Sequence, residues 1–127
     1  MDSLPENLKY AKTHEWAKLE DDNLVRVGIT DFAQAELGDL VFIELPAVGQ
    51  QLQVGQQCAV VESVKTASDL FSPVTGEVVA VNEAIIEAPE KVNDDAYEAW
   101  LFCLKADDLT ELDVLMDAFA YGEMIVG

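Results

Sequence analysis

Apolar and polar residues alternate in short runs along most of the chain. A period of two is typical of strands that bury one face and expose the other. The two clearest runs are 25–29 and 41–45, and each is predicted to place three apolar residues on one face: Val25, Val27 and Ile29 in the first, and Val41, Ile43 and Leu45 in the second.

Further strands are predicted by the same alternation and by β-branched residues between turn signals. They cover 15–20, 58–64, 77–81 and 99–105. The polar cluster 21–23 predicts a turn between the strands over 15–20 and 25–29. The chain is therefore predicted to be mainly β.

A short helix is predicted where the alternation first breaks, over 30–37. The segment opens with residue types that cap helices, and Gln34 follows Asp31 by three positions. Gly38 then supplies a stop, because glycine commonly ends helices.

A second helix is predicted at the C-terminal end, over about 108–120. Asp108 is followed three positions later by Glu111, which is the spacing of a capping box. Helical spacing would put five apolar residues on one stripe, namely Leu109, Leu112, Leu115, Met116 and Phe119. That stripe could pack on the sheet or bind a partner.

The size and charge of the chain restrict its class. With 127 residues, half of them apolar, it suits one domain over 1–127 and leaves no room for a second. The net charge of −18 argues against nucleic acid and anionic membrane as partners, and the apolar content is too high for disorder. The charge could select partners with basic surfaces or serve solubility alone.

The residue inventory offers little for catalysis or metal binding. The two cysteines, Cys58 and Cys103, lie in strand-like runs without metal-ligand spacing and are expected to be buried and reduced. The single histidine, His14, is expected to have a surface or structural role. The N-terminal residues lack the features of a signal or transit peptide, and no apolar run is long enough to span a membrane. We therefore expect a cytoplasmic protein with no metal site.

A single lysine, Lys65, lies in the polar run 62–69, which separates two apolar strands. The run is predicted to be a hairpin tip from which Lys65 projects into water. Lysine has a flexible stem and a nucleophilic amine, so it can be acylated and serve as the root of a tether. On spacing alone, an ordinary solvated charge is the commoner explanation.

The segment 60–78 resembles the lipoyl attachment region of glycine cleavage system H proteins, whose pattern is E-S-V-K-x-x-S-D followed by S-P-x-x-G-E-V. Here it reads Glu62-Ser63-Val64-Lys65, Ser68-Asp69, Ser72-Pro73 and Gly76-Glu77-Val78. Other segments match in order over nearly the whole chain: Leu8-Lys9-Tyr10, His14-Glu15-Trp16, Gly28-Ile29-Thr30-Asp31, Leu37-Gly38-Asp39 and Leu45-Pro46.

The resemblance implies a fold and a task. The fold would be a flattened barrel or sandwich of two small antiparallel sheets, a lipoyl-domain-like barrel-sandwich hybrid with a core over about 25–105. The protein would be a non-catalytic shuttle of the glycine cleavage system, with lipoate attached to Lys65 through an amide. It would carry the aminomethyl intermediate from the glycine decarboxylase (P protein) to the aminomethyltransferase (T protein), and then the dihydrolipoyl group to the dihydrolipoyl dehydrogenase (L protein).

The resemblance also implies site residues. Thr13, Glu15 and Asp69 match positions that hold the amine of the loaded arm in a surface cleft, and Glu62 and Ser63 could be read by lipoyl-attaching enzymes. Glu62 and Ser63 could equally serve only the turn. Acylation of Lys65 would change the formal charge from −18 to −19, since one positive charge is lost. A monomer is expected.

The chain departs from the family pattern in one loop. H proteins commonly read V-N-x-x-P-Y followed by glycine-tryptophan, whereas 92–100 has alanine in place of the proline and of a glycine. Tyr97 and Trp100 remain, which favours a retained packing role.

Other classes remain open at this point. A lipoyl domain of a 2-oxoacid dehydrogenase would centre on D-K-A and a biotin carrier on M-K-M, and Val64-Lys65-Thr66 fits neither. An H-like protein could instead donate lipoyl groups to other enzymes. The chain could also be an acidic interaction domain that keeps Lys65 unmodified, while a hydrolase is disfavoured by the lack of a nucleophile motif.

Overall fold

The computed structural model describes residues 4–126 and is mainly β, as the sequence predicts. The strands are β1 (Lys9–Tyr10), β2 (Glu15–Leu19), β3 (Leu24–Ile29), β4 (Leu40–Glu44), β5 (Gln51–Leu52), β6 (Gln57–Ser63), β7 (Ala67–Phe71), β8 (Gly76–Val81) and β9 (Phe102–Ala106). The α-helices are α1 (Asp31–Leu37), α2 (Glu83–Glu87), α3 (Glu90–Asp94) and α4 (Ala118–Val126). Two 3₁₀ segments cover Asp21–Asn23 and Leu109–Val114.

The strands form two antiparallel sheets. One has six strands in the order β1-β2-β3-β9-β8-β5, and the other has three in the order β4-β6-β7. Neighbours in both sheets run antiparallel, which confirms the predicted arrangement. The lysine hairpin predicted over 62–69 comprises the end of β6, the 64–66 turn and the start of β7, at one end of the small sheet.

The main core consists of apolar side chains contributed by both sheets. Val25, Val27 and Ile29 of β3 are buried in it, as their alternation predicts. Val61 and Leu70 contribute from the small sheet. A second, aromatic cluster is built on Tyr10, Trp16 and Tyr121 and joins the two ends of the chain.

Strand β4 departs from the predicted alternation. Leu40 and Ile43 are buried, whereas Val41 is 55% exposed and Phe42 is 49% exposed. The register of β4 against β6 shifts between Leu40 and Phe42, and such a bulge turns an extra residue outward. The prediction that Val41 shares the face of Ile43 and Leu45 is therefore wrong.

Helix α1 confirms its predicted position. Thr30 is the N-cap, and its hydroxyl accepts a hydrogen bond from the amide of Ala33 at 3.2 Å. The side chain of Gln34 donates to the Asp31 carboxylate at 3.0 Å rather than to the cap backbone. The helix ends at Leu37, and the φ of its C-cap Gly38, +86°, favours glycine.

The C-terminal prediction of one helix over 108–120 is wrong. The chain forms a 3₁₀ segment and then α4, separated by extended backbone at Leu115. The reason is a β-bridge, because the amide of Met116 donates to the Tyr10 carbonyl and the Tyr10 amide donates to the Met116 carbonyl, both at 2.8 Å. Four residues of the predicted stripe do pack against the core: Leu109, Leu112, Leu115 and Met116. The fifth, Phe119, is 77% exposed, and Tyr121 packs instead, stacked on Tyr10.

No helix among residues 4–126 is both long and apolar enough to cross a membrane.

The packing of Gly28 against Trp16 yields a first testable prediction. These residues are paired across β2 and β3, and a methyl group added at Gly28 would overlap the buried indole ring. We expect Gly28→Ala to lower the free energy of unfolding by about 1–3 kcal/mol, as overpacking does. Urea denaturation measures this loss of unfolding free energy. The matched control is Gly122→Ala in α4, where the added carbon meets nothing closer than 3.4 Å and helix propensity improves. Equal midpoints for the two variants would contradict the packing argument.

Candidate functional site

The tip of the β6–β7 hairpin is shaped by the side chain of Ser63. Its hydroxyl accepts hydrogen bonds from the amides of Lys65 and Thr66, both at 3.1 Å. The Ser63 amide also donates to the Thr66 carbonyl at 2.7 Å. These bonds satisfy a buried hydroxyl and hold the turn in one shape. Glu62, by contrast, is exposed next to the tip.

Lys65 projects from this tip and is exposed, as the sequence predicts. Its Nζ donates to the Glu36 carbonyl at 3.0 Å, at the last turn of α1. A helix C-terminus carries partial negative charge and favours a cation. The lysine therefore rests on the end of α1, with its amine open to solvent.

A cavity of about 380 Å³ opens where the N-terminal strands, the end of β7 and the 114–116 segment meet. Most of its wall surface is apolar. Lys12 and Thr13 of the β1–β2 connection, Glu15 of β2 and Ser72 after β7 are among its polar lining residues. The other walls include Tyr10, Val54, Phe71, Pro73, Val114, Leu115 and Met116.

Glu15 is the buried carboxylate of this cavity, with 1% of its surface exposed. One of its oxygens accepts from the Thr13 hydroxyl, and the other accepts from the Phe71 amide at 3.0 Å. Burial raises the pKa of Glu15 to about 7, although both hydrogen bonds oppose the rise. Near neutral pH the Glu15 carboxyl is therefore partly protonated, and a cation entering the cavity would favour its ionised form.

Asp69 does not join Thr13 and Glu15. It is exposed on β7 and does not line the cavity. Alternation along the strand puts Ala67, Asp69 and Phe71 on one face. That face leads from the lysine tip to the cavity, and the four residue steps from Ala67 to Phe71 span about 13 Å. Asp69 thus lies between the two.

The loop that departs from the family pattern packs tightly. Ala96 is 2% exposed, and its carbonyl accepts a hydrogen bond from the Trp16 indole at 3.1 Å. The Tyr97 hydroxyl accepts from the Asp31 amide at the start of α1, and Trp100 lies under the Arg26 guanidinium. The expected packing role of Tyr97 and Trp100 is confirmed.

The remaining chemistry-bearing residues are structural. The ring nitrogen of His14 lies 2.8 Å from the Tyr121 hydroxyl, which also contacts Thr30 at 2.7 Å, so these groups fasten α4 to the sheet. Cys58 is half-buried rather than fully buried, Cys103 is buried, and both are free. Burial raises the pKa of the Cys58 thiol to about 12.

Sequence reasoning missed three contributors to the site. The wall residue Met116 is brought to the cavity by its bridge to Tyr10, which no local pattern announces. Phe71 matters through its backbone amide. Asn93 bonds to the segment that supports Lys65, and the available signal was its match to the asparagine of the family pattern V-N-x-x-P-Y.

Comparison with known proteins gives consistent results. The sequence model of the family described as Glycine cleavage H-protein matches residues 8–126. The glycine cleavage system H protein of Methylococcus capsulatus is 60% identical over 121 residues, which are 95% of each chain. Glycine cleavage system H protein 2 of Pseudomonas aeruginosa is 55% identical, over 95% of this chain and 94% of the relative.

A solved structure is similar over the same extent. The crystal structure of a glycine cleavage system H protein from Mycobacterium marinum superposes with a TM-score of 0.90 at 37% identity. The match covers 98% of this chain and 100% of that one.

Proposed function

The chain belongs to the glycine cleavage H-protein family, and on that premise we propose that Lys65 carries its lipoyl group. Its role in the glycine cleavage system is that of a carrier rather than an enzyme. The single observation that carries the assignment of Lys65 is its place at an exposed, internally hydrogen-bonded hairpin tip. Such a tip presents one amine to an enzyme without any change in the core.

Acylation of Lys65 would form an amide. The lysine nitrogen bonds to the carboxyl carbon of an activated lipoate such as its adenylate, the bond to the activating phosphate breaks and AMP leaves. The ammonium group gives up two protons, so the positive charge is lost. The amide N–H remains a donor and can keep the bond to the Glu36 carbonyl.

The cavity fits a lipoyl arm. Apolar walls suit a hydrocarbon chain, and the face of β7 provides a path of about 13 Å from the tip that a lysine bearing a lipoyl chain can cover. When attached, the lipoyl group supplies a dithiolane whose sulfur takes up and releases the aminomethyl group of glycine. Within the cavity, Thr13 and Glu15 present oxygens that can hold a protonated amine.

Two further parts of the site have separate tasks in this proposal. Asp69 would attract the amine along the path, because it is an exposed carboxylate between tip and cavity. Glu62 would be read by the lipoyl-attaching enzyme at the tip, while Ser63 would act through the shape of the turn.

The partners in this proposal are the P, T and L proteins and a lipoyl-attaching enzyme. Docking raises the effective concentration of the tethered group at each site. A net charge of −18 suits partners with basic surfaces around their entrances. We further propose a monomer, a single domain over 1–127 and a cytoplasmic location.

Reconstitution with the P, T and L proteins tests this function. We expect lipoylated protein to support glycine-dependent NADH formation, and the same preparation without lipoate to give only background. Lipoylation without glycine cleavage, combined with transfer of lipoyl groups to other acceptors, would instead assign a donor role. No lipoylation in competent cells would favour the interaction-domain alternative, for which the exposed Phe119 of α4 is the contact to examine.

A further inference from the structure

Asn93 in α3 makes hydrogen bonds to three groups around the end of α1. Its Oδ1 accepts from the Leu40 amide at 2.9 Å. Its Nδ2 donates to the Gln34 side-chain oxygen at 2.8 Å and to the Gly38 carbonyl at 3.0 Å. The half-buried carboxamide therefore fixes the connection between α1 and β4 from three directions.

The same connection supports the lysine hairpin. The Val64 amide donates to the Asp39 carbonyl at 3.1 Å, and the Lys65 amine donates to the Glu36 carbonyl at 3.0 Å. The Lys65 Cε lies over Gly38, 3.3 Å from where a β-carbon would be. The tip is thus attached to a segment whose own position depends on Asn93.

We infer that Asn93 is a positioning residue for the acylation of Lys65. It touches neither the lysine nor the proposed lipoyl arm, and acts by holding the 38–40 segment on which the tip rests. This inference rests on the proposed function of Lys65. A loosened segment would leave the tip in its native orientation for only part of the time. For an enzyme that binds only that orientation, the apparent KM would rise as the fraction of protein in that orientation falls, while kcat would stay unchanged.

An amide is required at this position. Aspartate would keep an acceptor for the Leu40 amide, but would direct a carboxylate oxygen at the Gln34 and Gly38 oxygens, which are both acceptors. Alanine would remove all three bonds and leave the Leu40 amide without its partner.

Acylation kinetics test the inference. Purified unmodified protein is titrated against a lipoate–protein ligase with lipoate and ATP. We expect Asn93→Ala and Asn93→Asp to raise KM for the protein about fivefold or more, with kcat changed by less than about twofold. Native-state hydrogen exchange should show faster exchange of the Val64 amide in both variants.

The matched control is Asn82→Ala. Asn82 is also half-buried, donates to the Trp100 carbonyl at 2.8 Å and accepts from the Ala84 amide at 3.2 Å, but it has no bond to the 38–40 segment. We expect it to lower stability while leaving the KM and Val64 exchange unchanged. If the Asn93 variants fail to fold, Gln34→Ala takes their place. It removes one acceptor of Asn93 and should raise KM less than loss of all three bonds would.

The outcomes separate the inference from the proposed function. If the wild type is never acylated at Lys65, the proposed function fails. If the wild type is acylated and folded Asn93 variants show the same KM and the same Val64 exchange, only the positioning role is overturned. An equal rise in KM for Asn82→Ala would also overturn it, because general destabilisation would then explain the effect.

Discussion

Lys65→Arg should abolish lipoylation and reduce support of glycine cleavage to the level seen without the protein. A guanidinium stays protonated and is not acylated under these conditions, while it keeps the positive charge and the length of the side chain. Arginine can also donate to the Glu36 carbonyl as lysine does, so the fold and the tip should be retained. Intact mass of protein from lipoylation-competent cells, followed by the reconstituted assay, measures both effects.

Lys105→Arg provides the control. Lys105 is an exposed lysine in β9 of the large sheet, away from the hairpin. The Lys105→Arg protein should still gain one lipoyl group and keep full activity in the reconstituted assay. A lipoyl mass retained on the Lys65 variant would place the attachment on another residue and refute the assignment.

The sequence predicts the lysine hairpin well because every signal there is local. Two apolar strands flank a polar turn, and the hydrogen bonds that shape the turn join Ser63 to its near neighbours Lys65 and Thr66. The capped helix α1 is local in the same sense, since Thr30 and Gly38 act on their own neighbours. The period of two along the strands and the caps of α1 are therefore sufficient to predict the hairpin and the helix.

The cavity could not be predicted in this way, because its walls come from separate parts of the chain. Glu15 is completed by the Phe71 amide, which follows it by 56 positions. Met116 is recruited by an antiparallel bridge to Tyr10, and that bridge also broke the predicted C-terminal helix. Long-range pairing thus overrode a good helical pattern and built part of the site with the same contact.

The bulge in β4 is another feature that the sequence pattern could not predict. The alternation of Val41, Ile43 and Leu45 is regular, but one shifted residue reverses the direction of Val41. A period of two cannot reveal a bulge, because the bulge changes the pairing and leaves the sequence pattern intact. The result places Val41 and Phe42 on the surface.

Glu15→Gln should make the protein more resistant to unfolding than the wild type at neutral pH. The pKa of Glu15 rises from 4.5 to about 7 on folding, because burial disfavours the charged form. The folded state then binds a proton that the unfolded state has already lost, so this contribution is complete below pH 4.5 and disappears as pH rises to about 7. The wild type should lose about 3 kcal/mol across that interval from this group alone.

Glutamine fits the same site without the titration. Its oxygen can accept from the Phe71 amide, and its NH₂ can donate to the Thr13 hydroxyl, which rotates to accept. Urea unfolding from pH 4 to pH 8 should therefore show the variant gaining stability relative to the wild type with rising pH, and levelling off above about pH 7. Glu62→Gln, at an exposed position of β6, should differ from the wild type by less than about 0.5 kcal/mol throughout. A flat difference for Glu15→Gln would mean that burial does not penalise this carboxylate, and the cavity would then offer an incoming amine a permanently charged partner.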